Sequence, residues 1–285
     1  VSLERNTNAD GSFGDLDIIK IRKKIDEDNP NGILIIPADN PTGLQMSQNL
    51  IDDIAKICVE KDIWIVSDEA YRNIYFSGTG PSSIWQISNT DVPGIKGRRI
   101  SIESVSKVWN ACGLRIGALV TDNKIMYQKV RSEYTANLCA NVIGQYVFGA
   151  VAQMSAVEII DWYSRQRAYY SKTIIRLIKE LKEELPGIIL SSPGAAIYIV
   201  LDFKNITPSD FNASKFIEFC SSNGKIRINS KYYTLLLSPM EGFYNQKLKG
   251  EKQVRIALVE PESKMKMVPK ILSRLLENYL KSEKL

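Results

Sequence analysis

Four short apolar runs, each closed by polar residues, constrain the fold of this chain more than any other feature. They are "GILIIPA" (32–38), "IWIVSDEAY" (63–71), "RRISIESVS" (98–106) and "IGALVTD" (116–122). Runs this apolar, spaced by helices or long connections, suit strands buried on both faces of a largely parallel sheet. Between the first two lies "SQNLIDDIAKICVEKD", in which Leu50, Ile51, Ile54, Ile57 and Cys58 fall on one helical face. Strand, turn, helix, strand is the unit of an α/β fold, and the first half of the chain is expected to be one.

From about Asn141 to Leu185 the helical signal is nearly continuous, which predicts a helix pair or one long bent helix acting as a spine. The remainder mixes strands ("AAIYIVLDF", "QVRIALV") with helices ("NASKFIEFCSSNG", "MVPKILSRLLENYL") and reads as a smaller α+β domain. The 285 residues suffice for about two domains with real apolar cores. The expected division is a large α/β domain over 1–150, a connecting helix over 151–185 and a small C-terminal domain over 186–285.

Composition excludes several function classes. The chain has no histidine, so Ser-His and Cys-His nucleophile pairs and imidazole metal ligands are ruled out. Acid-base chemistry must run on Lys, Tyr, Cys or carboxylates, and no metal site is expected. The net charge of +5 comes from 37 basic and 32 acidic residues that are mixed along the chain, apart from "KGRR" (96–99) and the tail "KSEKL". Nucleic-acid binding would want a basic stripe interleaved with aromatics, and none is seen.

The four cysteines are widely separated, which argues against zinc clips and a disulfide framework and fits a reducing compartment. Cys112 and Cys139 read as small buried hydrophobes. The first residues are too polar for a signal peptide, and no apolar run approaches the roughly 20 residues of a spanning helix. A cytoplasmic protein without membrane partners is the expectation.

In open α/β sheets ligands gather outside the carboxyl ends of the strands. Asn40 follows "ILIIPAD", Asp68 follows "IWIV", and Ser104, Ser106 and Lys107 follow "RRISIE". Three neighbouring strands would thus aim an amide, a carboxylate and an amine at one crevice. Taken alone, Asn-Pro-Thr-Gly is an ordinary turn, and Asp68-Glu69 is a solvated strand end or a magnesium pair. Ser-x-Ser-Lys followed by Gly-x-Arg-x-Gly is much rarer, and it is the constellation that carries meaning.

That constellation resembles the fold-type I pyridoxal-phosphate enzymes, specifically the class I/II aminotransferases related to aspartate aminotransferase. The matching motifs are "NPTG" (40–43), "DEAY" (68–71), "SVSK" (104–107), "GLRIG" (113–117) and "VRIAL" (254–258), in the family's order over essentially the whole chain. The resemblance implies pyridoxal 5'-phosphate as cofactor, with Lys107 as its Schiff-base lysine and proton shuttle. It implies that Ser104, Ser106 and Arg115 hold the phosphate, and that Asp68 pairs with the ring nitrogen. Asn40 and Tyr71 hydrogen-bond the ring oxygen, while Arg255, with Asn40, takes the substrate α-carboxylate. The permanent, planar charge of arginine suits both anions.

The implied activity moves an amino group between an amino acid and a 2-oxo acid, with aspartate the donor that the general resemblance suggests, and a homodimer is implied. A carbon-sulfur β-lyase, a decarboxylase or a non-catalytic sensor domain would share the fold. The family's upstream strands and phosphate-cradling loop have no counterpart in residues 1–39. The chain is therefore expected to be the C-terminal part of a longer protein, with an exposed sheet edge. Trp64, Trp85, Trp109 and Trp162 read as packing residues.

Overall fold

A computed structural model describes residues 2–76, 80–136 and 138–283; Val1 and the last two residues of the tail, Lys284 and Leu285, lie outside them. Helix α1 (Ile18–Asp28), which the sequence reading did not assign, comes first, and strand β1 (Gly32–Ile35), helix α2 (Gln48–Glu60) and strand β2 (Trp64–Asp68) then follow one another as the sequence predicts. Strand β3 (Arg99–Ser104), the one-turn helix α3 (Val105–Val108) and strand β4 (Gly117–Thr121) complete the first sheet. Its order is β1-β2-β3-β4, with the first three strands parallel and β4 antiparallel to β3.

Helix α2 begins at Ser47, whose hydroxyl accepts from Leu50 N–H and so satisfies one of the free donors of the first turn. It buries Ile51, Ile54, Ala55, Ile57 and Cys58 against Ile21 and Ile25 of α1 and against Ile35 and Ile65 of the sheet. Fully burying an Ile or Leu stabilises by about 1.5–3 kcal/mol, so this stripe fixes which face of the sheet α2 covers.

Strand β4 departs from the expectation of strands buried on both faces. Leu119 and Val120 are 45% and 41% exposed, and helix α4 (Lys124–Ala136) after it buries no residue. No strand among the described residues pairs with the outer edge of either β1 or β4.

Helix α5 (Val142–Gly149) turns through a 3-10 segment into α6 (Ala156–Glu184), the longest helix, with a bend of 109°. A capping box between Ser155 and Glu158 starts α6. Its buried residues, Gln166, Tyr170, Thr173, Ile174, Leu177 and Leu181, recur at three and four and so form one stripe. No single helix among the described residues is long and apolar enough to cross a membrane; α5 and α6 pass only as the bent pair.

The second sheet is antiparallel. Strands β5 (Ile189–Leu190) and β6 (Tyr198–Asp202) precede helix α7 (Ala213–Ser222), the hairpin β7 (Ile226–Ile228) and β8 (Lys231–Tyr233), and strands β9 (Ser238–Pro239) and β10 (Gln253–Ala257), in the sheet order β5-β6-β10-β9. Helices α8 (Glu262–Met265) and α9 (Val268–Ser282) close the chain. Phe203, Phe211, Phe216 and Tyr279 pack ring against ring at 5.4–6.0 Å. This second core also takes in Ala38, Tyr71 and Ile74 from the first half, so the turn after β2 is built into it. Cys58 and Cys220 are buried, whereas Cys112 and Cys139, expected inside, are exposed on surface turns where no apolar layer covers them.

Candidate active site

Asn40 sits in the tight turn after β1. The turn is closed by Asp39 N–H to Leu44 O (2.9 Å) and Gly43 N–H to Asp39 O (3.0 Å), and the Asp39 carboxylate accepts from Thr42 Oγ1 and pairs with Arg5 at 3.2 Å. Gly43 has φ +73°, and a Cβ there would collide with the Tyr198 carbonyl oxygen and with Pro193. The Gly43 carbonyl accepts from Gly194 and Ala195 N–H, both at 2.8 Å. Glycine is thus required twice, for the left-handed backbone and for close approach, and the turn is fastened to the chain leading into β6.

Asp68 ends β2, in register with Ile102, two residues before Ser104; its Oδ1 accepts from Ala70 N–H at 3.1 Å. Neighbouring Glu69 points the other way. Its buried carboxylate accepts from Ser83 Oγ (2.6 and 2.9 Å), Ile84 N–H (3.0 Å) and Arg72 Nη1 (2.7 Å), and Arg72 also reaches Glu103 at 2.8 Å. Glu69 is therefore an anchor that ties the 81–86 loop to the strand end.

The Tyr71 hydroxyl lies 2.6 Å from that of Tyr198, with both rings buried and in edge contact at 5.6 Å. Burial, followed by the hydrogen bond and the proximity of Tyr198 and Asp68, holds the Tyr71 phenol far above its ordinary pKa, so it stays protonated.

Ser104 ends β3 and caps α3, accepting from Ser106 N–H at 3.1 Å. Val105 and Val108 turn inward while Ser106 and Lys107 remain half-buried. The Lys107 ammonium has no hydrogen-bond or ion-pair partner among the described residues. With Ser106 it lines a cleft of about 410 Å³ whose other walls include Tyr170, Ile197 and Leu258.

The lysine turn is gripped by one stripe of α6, through two backbone carbonyls and one side chain. Trp162 Nε1 donates to Val108 O (2.9 Å), Gln166 Nε2 to Lys107 O (3.3 Å) and Tyr170 hydroxyl to Asn110 Oδ1 (3.5 Å). Residues at i, i+4 and i+8 share a helix face, so a single orientation of α6 makes all three contacts. Trp109 stacks on Trp162 (5.9 Å, 9° between planes) and meets Phe148 and Tyr163, a packing role.

Arg115 follows a 3-10 turn (Cys112–Leu114) with φ +56°, a left-handed conformation uncommon for a residue with a Cβ. Its side chain is exposed and Nη1 donates to Cys112 O at 3.1 Å. It makes no hydrogen bond to Ser104 or Ser106, so of the expected phosphate group only the two serines share a turn with Lys107.

Arg255 comes from β10 in the second sheet. Nη1 donates to Asn40 Oδ1 (2.5 Å), 215 residues away in sequence, and Nη2 donates to Ser238 Oγ (3.2 Å). Its Cζ lies 4.5 Å from the Tyr198 ring and 5.2 Å from the Phe243 ring, and Nε is buried without a partner. Asn40, Arg255 and Tyr71 are thus joined through Tyr198, a residue that the sequence alone did not select. The donor set suits an anionic aldehyde and a carboxylate substrate. It offers an amine with no competing partner and the Ser106 hydroxyl in the same cleft, while Ser104 lines a separate hollow with Arg72 and Glu103, and Arg255, which does not line the lysine cleft, keeps an unfilled buried donor.

The pattern described as "Aminotransferase class I and II" matches residues 9–263. Among curated relatives, the "Probable aspartate/prephenate aminotransferase" of Aquifex aeolicus is 25% identical over 213 residues, covering 75% of this chain and 52% of that protein. The chain thus spans about half the length of that relative. Among solved structures, N-succinyldiaminopimelate aminotransferase from Mycobacterium tuberculosis superposes with a TM-score of 0.77 at 19% identity, over 96% of this chain and 65% of that one. The PLP-bound C-S lyase of Staphylococcus hominis superposes with a TM-score of 0.72 at 22% identity, over 93% and 63%. With the family pattern running from the α1 approach to α8, on the same fold as these structures, the chain belongs to the class I and II aminotransferases, a pyridoxal-phosphate-dependent family of fold-type I.

Proposed function

We propose that this chain carries the chemistry of amino-group transfer between an amino acid and a 2-oxo acid. The observation that supports the reading is the hydrogen bond from Arg255 to Asn40 across 215 residues, which brings a guanidinium to the turn at the end of β1. Arg255 and Asn40 would hold the substrate α-carboxylate. The two aromatic faces around the guanidinium leave its edge for that contact. Ser104 and Ser106, with Arg115 after a side-chain rearrangement, would hold the cofactor phosphate, Asp68 its ring nitrogen and Tyr71 its ring oxygen. Pyridoxal phosphate, when bound, supplies an electron-withdrawing ring that stabilises carbanion charge at the substrate α-carbon.

Lys107 Nζ is the group that takes and returns the α-proton in a chain without histidine. Aspartate is the donor we propose first, and a homodimer the assembly.

The test loads the chain with pyridoxal phosphate and adds amino donors one at a time, following cofactor absorbance. A donor-dependent change to the amine form, abolished in Lys107→Ala, is expected. Wild-type turnover by Lys107→Ala ends the reading, and release of pyruvate and ammonia from cysteine conjugates without a 2-oxo acid replaces it with lyase chemistry.

A further inference from the structure

We propose that Tyr198 is a positioning residue that sets two functional groups at once, the phenol of Tyr71 and the guanidinium of Arg255. The inference rests on the reading above for what those groups bind. In the antiparallel pair, Tyr198 faces Ala257 and Val200 faces Arg255. Tyr198 and Arg255 are therefore diagonal neighbours on one sheet face, a distance that an aromatic ring and a long side chain span. The ring lies 4.5 Å from Arg255 Cζ, within the range in which a buried cation gains from an aromatic face. Its far end meets the Tyr71 hydroxyl at 2.6 Å.

The hydroxyl pair shares one hydrogen. When Tyr198 donates, the Tyr71 proton remains for an acceptor in the cleft, and the bond behind it strengthens that donation. Tyr71 cannot drift from this partner, because the turn that bears it is stitched to the approach of β6. Ala196 N–H donates to Ile74 O (2.8 Å) and Phe76 N–H to Gly194 O (2.6 Å). Both phenols are nearly solvent-free, at 6% and 5% exposed, so water does not substitute for the missing hydroxyl in a variant.

Two variants separate the two roles. Tyr198→Phe keeps the ring under Arg255 and removes the hydroxyl; Tyr198→Leu removes both. Propionate binding is measured by calorimetry on the chain without cofactor, and the pH midpoint of the Lys107 chromophore is read after adding pyridoxal phosphate. Circular dichroism and a thermal melt check folding. Tyr198→Phe is expected to leave propionate affinity within about twofold while raising the chromophore midpoint by about 0.3 pH unit, the size of a modest loss of hydrogen-bond strength. Tyr198→Leu is expected to weaken propionate about fivefold as well, the loss of one cation–ring contact.

An unchanged midpoint in folded Tyr198→Phe, or unchanged propionate affinity in folded Tyr198→Leu, overturns the proposal. Wild-type chain that binds propionate but forms no chromophore defeats the functional reading alone, and the affinity comparison still decides the Arg255 half. Wild-type chain that binds no propionate overturns the proposal.

Discussion

Substituting Glu69 by glutamine should be the most informative stability test of the strand end that bears Asp68. The Glu69 side chain is fully buried, and its carboxylate takes donors from Ser83, Ile84 and Arg72. Removing one partner of a buried ion pair costs about 3–5 kcal/mol. Arg72 is 28% exposed and retains Glu103, and glutamine keeps one accepting oxygen, so we place Glu69→Gln at the low end, about 3 kcal/mol. For a chain of this size that is a fall of about 6–10 °C in Tm, or roughly 1 M in the urea midpoint. Glu103→Gln, whose side chain is 24% exposed, should cost under about 1 kcal/mol. Combining Glu69→Gln with Arg72→Gln should cost less than the sum of the singles by at least about 0.5 kcal/mol. Glu69→Gln within about 0.5 kcal/mol of wild type, with an additive double variant, would refute the anchoring role.

Burial raises the thiols of Cys58 and Cys220 to about 12, and Tyr244 to about 12 for the same first reason. Unfolded chain loses these protons at lower pH than folded chain, so stability should fall as pH rises from about 9 toward 12; a urea midpoint that holds steady across that window contradicts the burial. A thiol reagent should modify exposed Cys112 and Cys139 in the native protein and reach Cys58 and Cys220 only after denaturation, which a count of released chromophore checks. Gly43→Ala, with its backbone strain and its clash against Tyr198, should cost about 2–4 kcal/mol and loosen propionate binding, read by melt and calorimetry; a neutral result would mean the turn can move freely.

The parts of the fold carried by local pattern were legible in the chain. Asp68 and Ser104 end strands because a short apolar run stops there, and the face of α2 follows from Ile51, Ile54 and Cys58. The family was legible through the order of its motifs, yet the contact of Arg255 with Asn40 spans 215 residues and has no local signature. Tyr198 escaped for a different reason. All of β6 is buried, so alternation could not say which side chains face the cleft; the small residues before it, Gly194 to Ala196, were the available hint of a close approach. Glu69 looked like a companion of Asp68, although adjacent strand residues point to opposite faces. Cysteine's general preference for the interior misplaced Cys112 and Cys139, since it ignores that both lie outside the apolar stripes.

Helix α6 serves two clients along one rod of roughly 43 Å. Trp162 and Gln166 face the lysine turn, and Ile174, Leu177 and Leu181 face the second core. Each added residue turns whatever lies downstream by about 100°, so a single insertion between Gln166 and Thr173 would swing one set of contacts into water, whereas seven residues would nearly restore the phase. The spacing between those two groups is therefore under tighter constraint than either group would impose alone.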